Sequence, residues 1–186
     1  MPERVCVFVD GSNFYNTLRE AGKPVNISFK KLSVELIALK PDRQLVQIYY
    51  YNSPLPRPVN TDPDFAKKDL ERKRQQKFLN ALGWVPNLTT KLGYLRKLPS
   101  GEFVEKRVDV MLATDLVVFA LKNLYDVAIV MSCDADYGYA IETVKSETGK
   151  HVELATVAGA KCFDLRTLCD DYIQFDDAFL NRCLHP

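Results

Sequence analysis

Short, almost unbroken apolar runs recur along the chain, and each is followed by a longer amphipathic stretch. Arg4-Val5-Cys6-Val7-Phe8-Val9 is the first run; Leu45-Val46-Gln47-Ile48-Tyr49-Tyr50-Tyr51, Val127-Ala128-Ile129-Val130-Met131 and His151-Val152-Glu153-Leu154-Ala155-Thr156 repeat the design. A strand that is apolar on both faces must be covered on both, as in a parallel sheet held between helices. Trp84-Val85-Pro86-Asn87-Leu88 is a weaker run, and its proline confines it to an edge. Helical periodicity falls between the runs, near residues 12–21, 28–39, 64–82, 107–123 and 137–148. This alternation predicts βαβ units and an α/β fold around a mainly parallel sheet. The length predicts one domain over residues 1–186.

A domain of this size buries roughly two-thirds of its unfolded surface, so it needs no disulfides. The five cysteines include no Cys-x-x-Cys pair, and there are only two histidines. That pattern argues against zinc and for free, mostly buried thiols in a reducing, cytoplasmic setting. No apolar run approaches the roughly 18 residues of a membrane span, and Met1-Pro2-Glu3-Arg4-Val5 carries no signal-peptide pattern. The net charge of +1 conceals an asymmetry. Residues 57–107 hold twelve Lys/Arg against six Asp/Glu, whereas residues 126–186 hold five against eleven. The contrast reads either as a polyanion-facing surface beside a carboxylate-rich one, or as a solvated helix face with an acidic tail.

Three groups of acids stand at informative places. Asp10-Gly11-Ser12-Asn13 directly follows the first strand, where ligands of parallel α/β sheets bind. It also reads as a turn with Ser12 or Asn13 capping the next helix. Ser132-Cys133-Asp134-Ala135-Asp136 follows the fourth strand. Like charges so close raise one another's pKa unless a cation neutralises them, and Mg²⁺ or Mn²⁺ suits such all-oxygen ligands. Here Asp136 is the candidate cap. The third group lies on the helix beginning near Arg107, which is apolar almost all round and therefore predicted to be buried. Asp109 falls in its first turn, where the dipole tolerates a negative charge and Lys106 can pair with it. Asp115 lies roughly 120° away around the helix. It reads either as a buried structural hydrogen bond or as a group orienting a neighbour or water.

Taken together, Val7-Phe8-Val9-Asp10-Gly11-Ser12-Asn13, Lys106-x-x-Asp109-Val-x-Leu-x-x-Asp115 and Met131-Ser132-x-Asp134-x-Asp136-Tyr137 resemble the NYN family of the PIN-like nuclease superfamily, in its LabA-like branch. The motifs occur in the family's order from about residue 4 to 140, and the strand at Glu153–Thr156 and the tail from Leu165 to Phe175 also fit. The resemblance implies a Rossmann-like, three-layer α/β/α, PIN-like fold with a five- or six-stranded sheet. Its strand order would be 3-2-1-4-5. It implies Mg²⁺- or Mn²⁺-dependent hydrolysis of RNA, with Asp10, Asp109, Asp134 and Asp136 as metal-binding, catalytic acids. Asn13 and Ser132 would hold the carboxylates, and Lys106 and Asp115 would support them. The family's Ser-Gly-Asp-Ser-Asp-Phe segment is altered here by Cys133, Ala135 and Tyr137.

Hydrolysis of single-stranded or structured RNA is therefore expected. Arg72, Arg74, Lys91, Arg96 and Lys97 are the candidate contacts to its backbone, and Tyr51 and Tyr94 are candidate stacking platforms. The alternative is an RNA- or protein-binding module on the same fold with little or no turnover, motivated by the altered segment. A haloacid-dehalogenase phosphatase needs a second Asp where Ser12 stands, and no Gly-x-x-x-x-Gly-Lys-Ser/Thr loop marks a nucleotide kinase. A homodimer would cover an edge strand. The four-proline segment Asn52–Pro63 reads as a flap over a site or as a surface excursion.

Overall fold

The computed structural model describes residues 1–61 and 64–185. Among these residues the strands are β1 (Glu3–Asp10), β2 (Arg43–Asn52), β3 (Leu88–Leu92), β4 (Tyr94–Lys97), β5 (Phe103–Lys106), β6 (Val127–Met131), β7 (His151–Val157) and β8 (Asp171–Phe175). The helices are α1 (Gly11–Glu20), α2 (Phe29–Ala38), α3 (Phe65–Leu82), α4 (Val108–Leu121), α5 (Gly138–Thr148), α6 (Phe163–Leu168) and α7 (Asp177–Arg182). Six strands form one parallel sheet in the order β3-β2-β1-β6-β7-β8, while β4 and β5 make a separate antiparallel hairpin. The expected order is present, with β8 added beyond it. The fold is a three-layer α/β/α sandwich, consistent with the PIN-like expectation.

Alternation along β1 sorts the layers, because successive side chains point to opposite faces. Val5, Val7 and Val9 pack with Phe14, Phe29 and Leu79 under α1, α2 and α3. Cys6 and Phe8 pack with Leu112, Leu116 and Ile141 under α4 and α5. Each fully buried aliphatic or aromatic side chain in these layers contributes about 1.5–3 kcal/mol. The register places Val9 beside Met131. Asp10 and Ser132, the next residues, therefore emerge side by side where the strand order reverses.

Three expectations need correction. The third strand begins only at Leu88, where the predicted run ends; Trp84 is 89% exposed, and the left-handed Asn87 closes the turn after α3. The helix α4 is buried on one face only, through Val108, Leu112, Leu116 and Ala120, whereas Val110 is 70% exposed. The hairpin β4–β5 has no counterpart among the predicted elements. Of the four-proline segment, Asp62 and Pro63 lie outside the described residues. Its first part is irregular and tied to α3, since Gln75 accepts from Leu55 N at 2.7 Å and donates to Ser53 O at 3.1 Å.

The opposite edge of the sheet, at the strand N-termini, holds a buried charge network. Glu153 on β7 is fully buried and receives both Arg43 guanidinium nitrogens, at 3.0 and 2.6 Å, and the Lys40 ammonium at 2.6 Å. Burial pushes the Glu153 pKa up, but the bonds from Arg43 and Lys40 outweigh it and hold the pKa below the usual range. Removing Arg43 takes the two-point partner from the buried Glu153 carboxylate and leaves it to the part-exposed Lys40. Arg43→Leu is expected to destabilise the protein by about 3–5 kcal/mol in urea unfolding at pH 7. A carboxylate with a lowered folded pKa stabilises above its unfolded pKa and loses that contribution as pH falls. The wild-type advantage over Arg43→Leu should accordingly shrink below about pH 4.

Candidate metal centre

Asp10 ends β1 and is also the N-cap of α1, its Oδ1 accepting from Asn13 N at 3.0 Å. Its other oxygen, Oδ2, accepts from Ser132 Oγ at 3.3 Å and from the Tyr137 hydroxyl at 3.0 Å. Asp134 repeats the arrangement one strand away. It caps the short 3-10 helix Ala135–Tyr137, accepting from Asp136 N at 3.0 Å, while its own N–H donates to Ser132 Oγ at 3.1 Å. Ser132 thus links the two acids. Asn13 Oδ1 accepts from Cys133 N at 2.8 Å and fastens the start of α1 to the loop after β6.

Asp109 arrives from α4. The residue before that helix, Arg107, is left-handed at φ 79°, and this turn aims the first helical turn at the sheet edge. Such backbone costs of order 1–3 kcal/mol for a residue with a side chain. Tyr137, fully buried, lies between Asp10 and Asp109, its hydroxyl also within 3.2 Å of Asp109 Oδ1. Carboxylate oxygens of Asp10, Asp109 and Asp134 all lie within 4.8 Å of one another. Three hard carboxylate oxygens converging from separate elements are the donor chemistry that suits Mg²⁺ or Mn²⁺.

The electrostatics agree. Asp10 is 3% exposed, and burial pushes its pKa up to about 6. The Asn13 N–H and Tyr137 hydroxyl pull it down, and Glu105 and Asp109 push it up again. Among the described residues no Lys or Arg forms an ion pair with Asp10, Asp109 or Asp134. Glu105 on β5 is an acid that the sequence analysis missed; it accepts from Ser12 Oγ at 3.1 Å. Its signal was the hairpin, in which Pro99-Ser100-Gly101 lies between two short extended runs. Ser12 therefore holds Glu105 rather than capping α1.

The other predicted residues are distributed as follows. Asp136 is exposed and does not join the three acids, and it is Asp134 that supplies the cap expected of it. Lys106 is exposed and makes no ion pair with Asp109 among the described residues. Asp115 faces β2 and β3, where the Tyr51 hydroxyl donates to it at 2.7 Å and Lys91 pairs with it at 2.6 Å. The partly buried Asp115 thus has structural partners on two strands. Tyr51 is fully buried and offers no face to a base, and Lys91 is engaged. Arg72 pairs with Asp69 within α3. Arg74, Tyr94, Arg96 and Lys97 remain exposed, with the Arg107 guanidinium 5.1 Å from the Tyr94 ring centre.

A model of the NYN domain matches residues 4–176. The chain belongs to the NYN domain family. Members of this family are typically nucleases, and NYN and PIN-like nucleases use divalent metals. A solved structure of a protein of unknown function, VPA0982 from Vibrio parahaemolyticus, is similar at a TM-score of 0.70 and 22% identity over 96% of each chain, a likeness of fold. No curated protein matches the chain.

A carboxyl whose pKa is raised on folding favours the folded state when protonated. Asp10 therefore costs the metal-free NYN domain stability as pH rises from about 4 through about 6. Near neutral pH the cost is on the order of 2–3 kcal/mol. Asp10→Asn is expected to raise the metal-free Tm at pH 7.5. The variant should also lose most of the Tm gain that Mn²⁺ gives the wild type, both readable by differential scanning fluorimetry.

Proposed function

We propose that this NYN domain is a divalent-metal-dependent ribonuclease that hydrolyses phosphodiester bonds at Asp10, Asp109 and Asp134. The observation that carries the reading is the convergence of three carboxylates within 4.8 Å, with no cationic side chain paired to them among the described residues. Family membership supports the same chemistry. When bound, Mg²⁺ or Mn²⁺ would supply Lewis-acid charge for the phosphoryl group and acidify water near neutral pH. The chain supplies the rest. Asp10, Asp109 and Asp134 hold the ion, while Ser132, Asn13 and the Tyr137 hydroxyl fix the carboxylate orientations. Asp136, exposed two residues after Asp134, is kept as a proposed further acid for substrate or a second ion. Asp115 and Lys106 are left outside this assignment.

RNA is the proposed substrate, held by Arg96 and Lys97 on β4 and by Arg74 on α3, with Tyr94 as the accessible aromatic ring. All three acids come from one chain. Among the described residues no helix is long and apolar enough to cross a membrane, and a cytoplasmic setting is part of the proposal. The Ser132-x-Asp134-x-Asp136-Tyr137 segment supports the LabA-like branch.

One observation favours the binding-module reading: the Tyr137 hydroxyl, on the residue that replaces the family's Phe, lies within hydrogen-bond reach of both Asp10 and Asp109. The two readings separate in a single assay. Purified protein with Mn²⁺ should cleave single-stranded RNA, and Asp134→Asn or Asp109→Asn should lower the rate by about 100-fold or more. Undiminished cleavage by those variants, or in excess chelator, would sink the nuclease assignment. Tight RNA binding by the wild type without any product would favour the module.

A further inference from the structure

Beside the acids, on the other face of the sheet, a cavity of about 580 Å³ opens between α1, the C-terminal end of β2 and α3. Gly11 and Ser12 line it, so it begins one residue from Asp10. The approach is close at that point: a Cβ on Gly11 would stand 2.3 Å from the Tyr50 ring. The floor is aromatic. Phe29 meets Tyr50 edge-on at 5.1 Å between ring centres, Phe78 meets Tyr50 at 5.7 Å, and Phe14 closes the side. The rim carries Tyr15, 46% exposed, and the exposed Arg19 and Arg74. Neither arginine has a carboxylate partner among the described residues, although Glu71 also stands on the rim.

From this geometry we infer that the cavity is a nucleotide subsite, which takes one unstacked base of the RNA strand whose phosphodiester lies at the acids. The inference rests on the nuclease reading for the identity of the strand, but its chemistry is local. An aromatic, apolar hole of this size suits a base removed from its stack. Two unpaired guanidiniums at its mouth suit the phosphates on either side. The amides nearest the floor are already committed: Asn52 donates to the Tyr50 hydroxyl at 3.2 Å, and Gln75 donates to Asn52 Oδ1 and Ser53 O and accepts from Leu55 N. With those groups occupied, the aromatic floor rather than the Asn52 and Gln75 amides receives the base.

The test uses a single-stranded RNA decamer carrying 2-aminopurine, bound in chelator so that cleavage plays no part. Wild-type protein should change the 2-aminopurine fluorescence at one position of the strand. The double variant Arg19→Ala/Arg74→Ala should abolish that change, weaken binding at least about tenfold and lower the salt slope by about 1.4, as expected for two contacts to single-stranded phosphate. Lys67→Ala/Lys77→Ala, on α3 outside the cavity, should leave the fluorescence change intact. Circular dichroism melts check that each variant folds. Unchanged binding by the arginine double variant overturns the subsite, as does tighter binding of free 5′-AMP than of the strand. Cleavage by wild type together with unchanged binding by that variant removes the subsite and spares the nuclease. Pocket-dependent binding without cleavage does the reverse.

Discussion

A carboxylate buried at the C-terminal edge of a parallel sheet is the constraint around which this molecule is arranged. Asp10 is 3% exposed, follows a strand buried on both faces and has two further acids within carboxylate contact. Charge in such a place is costly unless it is hydrogen-bonded and neutralised. The chain provides the hydrogen bonds: a helix N-terminus for Asp10, a 3-10 N-terminus for Asp134, the Ser132 hydroxyl between them and the Tyr137 hydroxyl toward Asp109. Among the described residues it provides no Lys or Arg ion pair to neutralise them. The resulting pKa of about 6 measures what is left over.

The opposite edge shows that this omission is local rather than a general shortage of cations. Glu153 is buried as deeply as Asp10, and His151, Glu153 and Asp171 are as closely grouped as the three acids. There, however, Arg43 holds Glu153 in a two-point contact, and Lys40 bridges Glu153 and Asp171. The pKa shifts run in opposite directions accordingly, down for Glu153 and up for Asp10. One acidic group is a closed structural network. The other is left open to an ion from solution, and this difference distinguishes them better than their spacing does.

What the sequence disclosed follows from range. The apolar runs and the position of each Asp relative to its run are local, so the sheet, the acids at or just after its two central strands and the helix bearing Asp109 were legible. Partnerships across the fold were not. Lys91 lies closer to Asp115 in space than any pattern in the chain implies, because β3 runs beside β2 and brings Lys91 level with Tyr51. That register gathers Tyr51, Lys91 and Asp115 into one bonded cluster. Glu105 was hidden for a different reason: its strand is four residues long and half-exposed, so it carries no apolar run to mark it. The third strand was misplaced because Val85 reads as strand-forming, yet it sits in the turn that ends α3.

The sequence offered Ser12, Asn13 and Asp136 as caps, yet Asp10 and Asp134 take that role themselves, and capping does not withdraw either from the group of three acids. Asp10 turns one oxygen to an N–H of its own helix and the other toward the neighbouring acids; Asp134 likewise caps its turn while standing in the group of three. Capping is what holds each carboxylate still, and a fixed carboxylate is what a small, geometrically demanding ion requires. An Asn at either position keeps an oxygen for the cap and loses the charge. The scaffold and the ion site can therefore be separated at a single atom, and at Asp10 that exchange removes a buried charge, so loss of the ion there goes with a gain in metal-free stability.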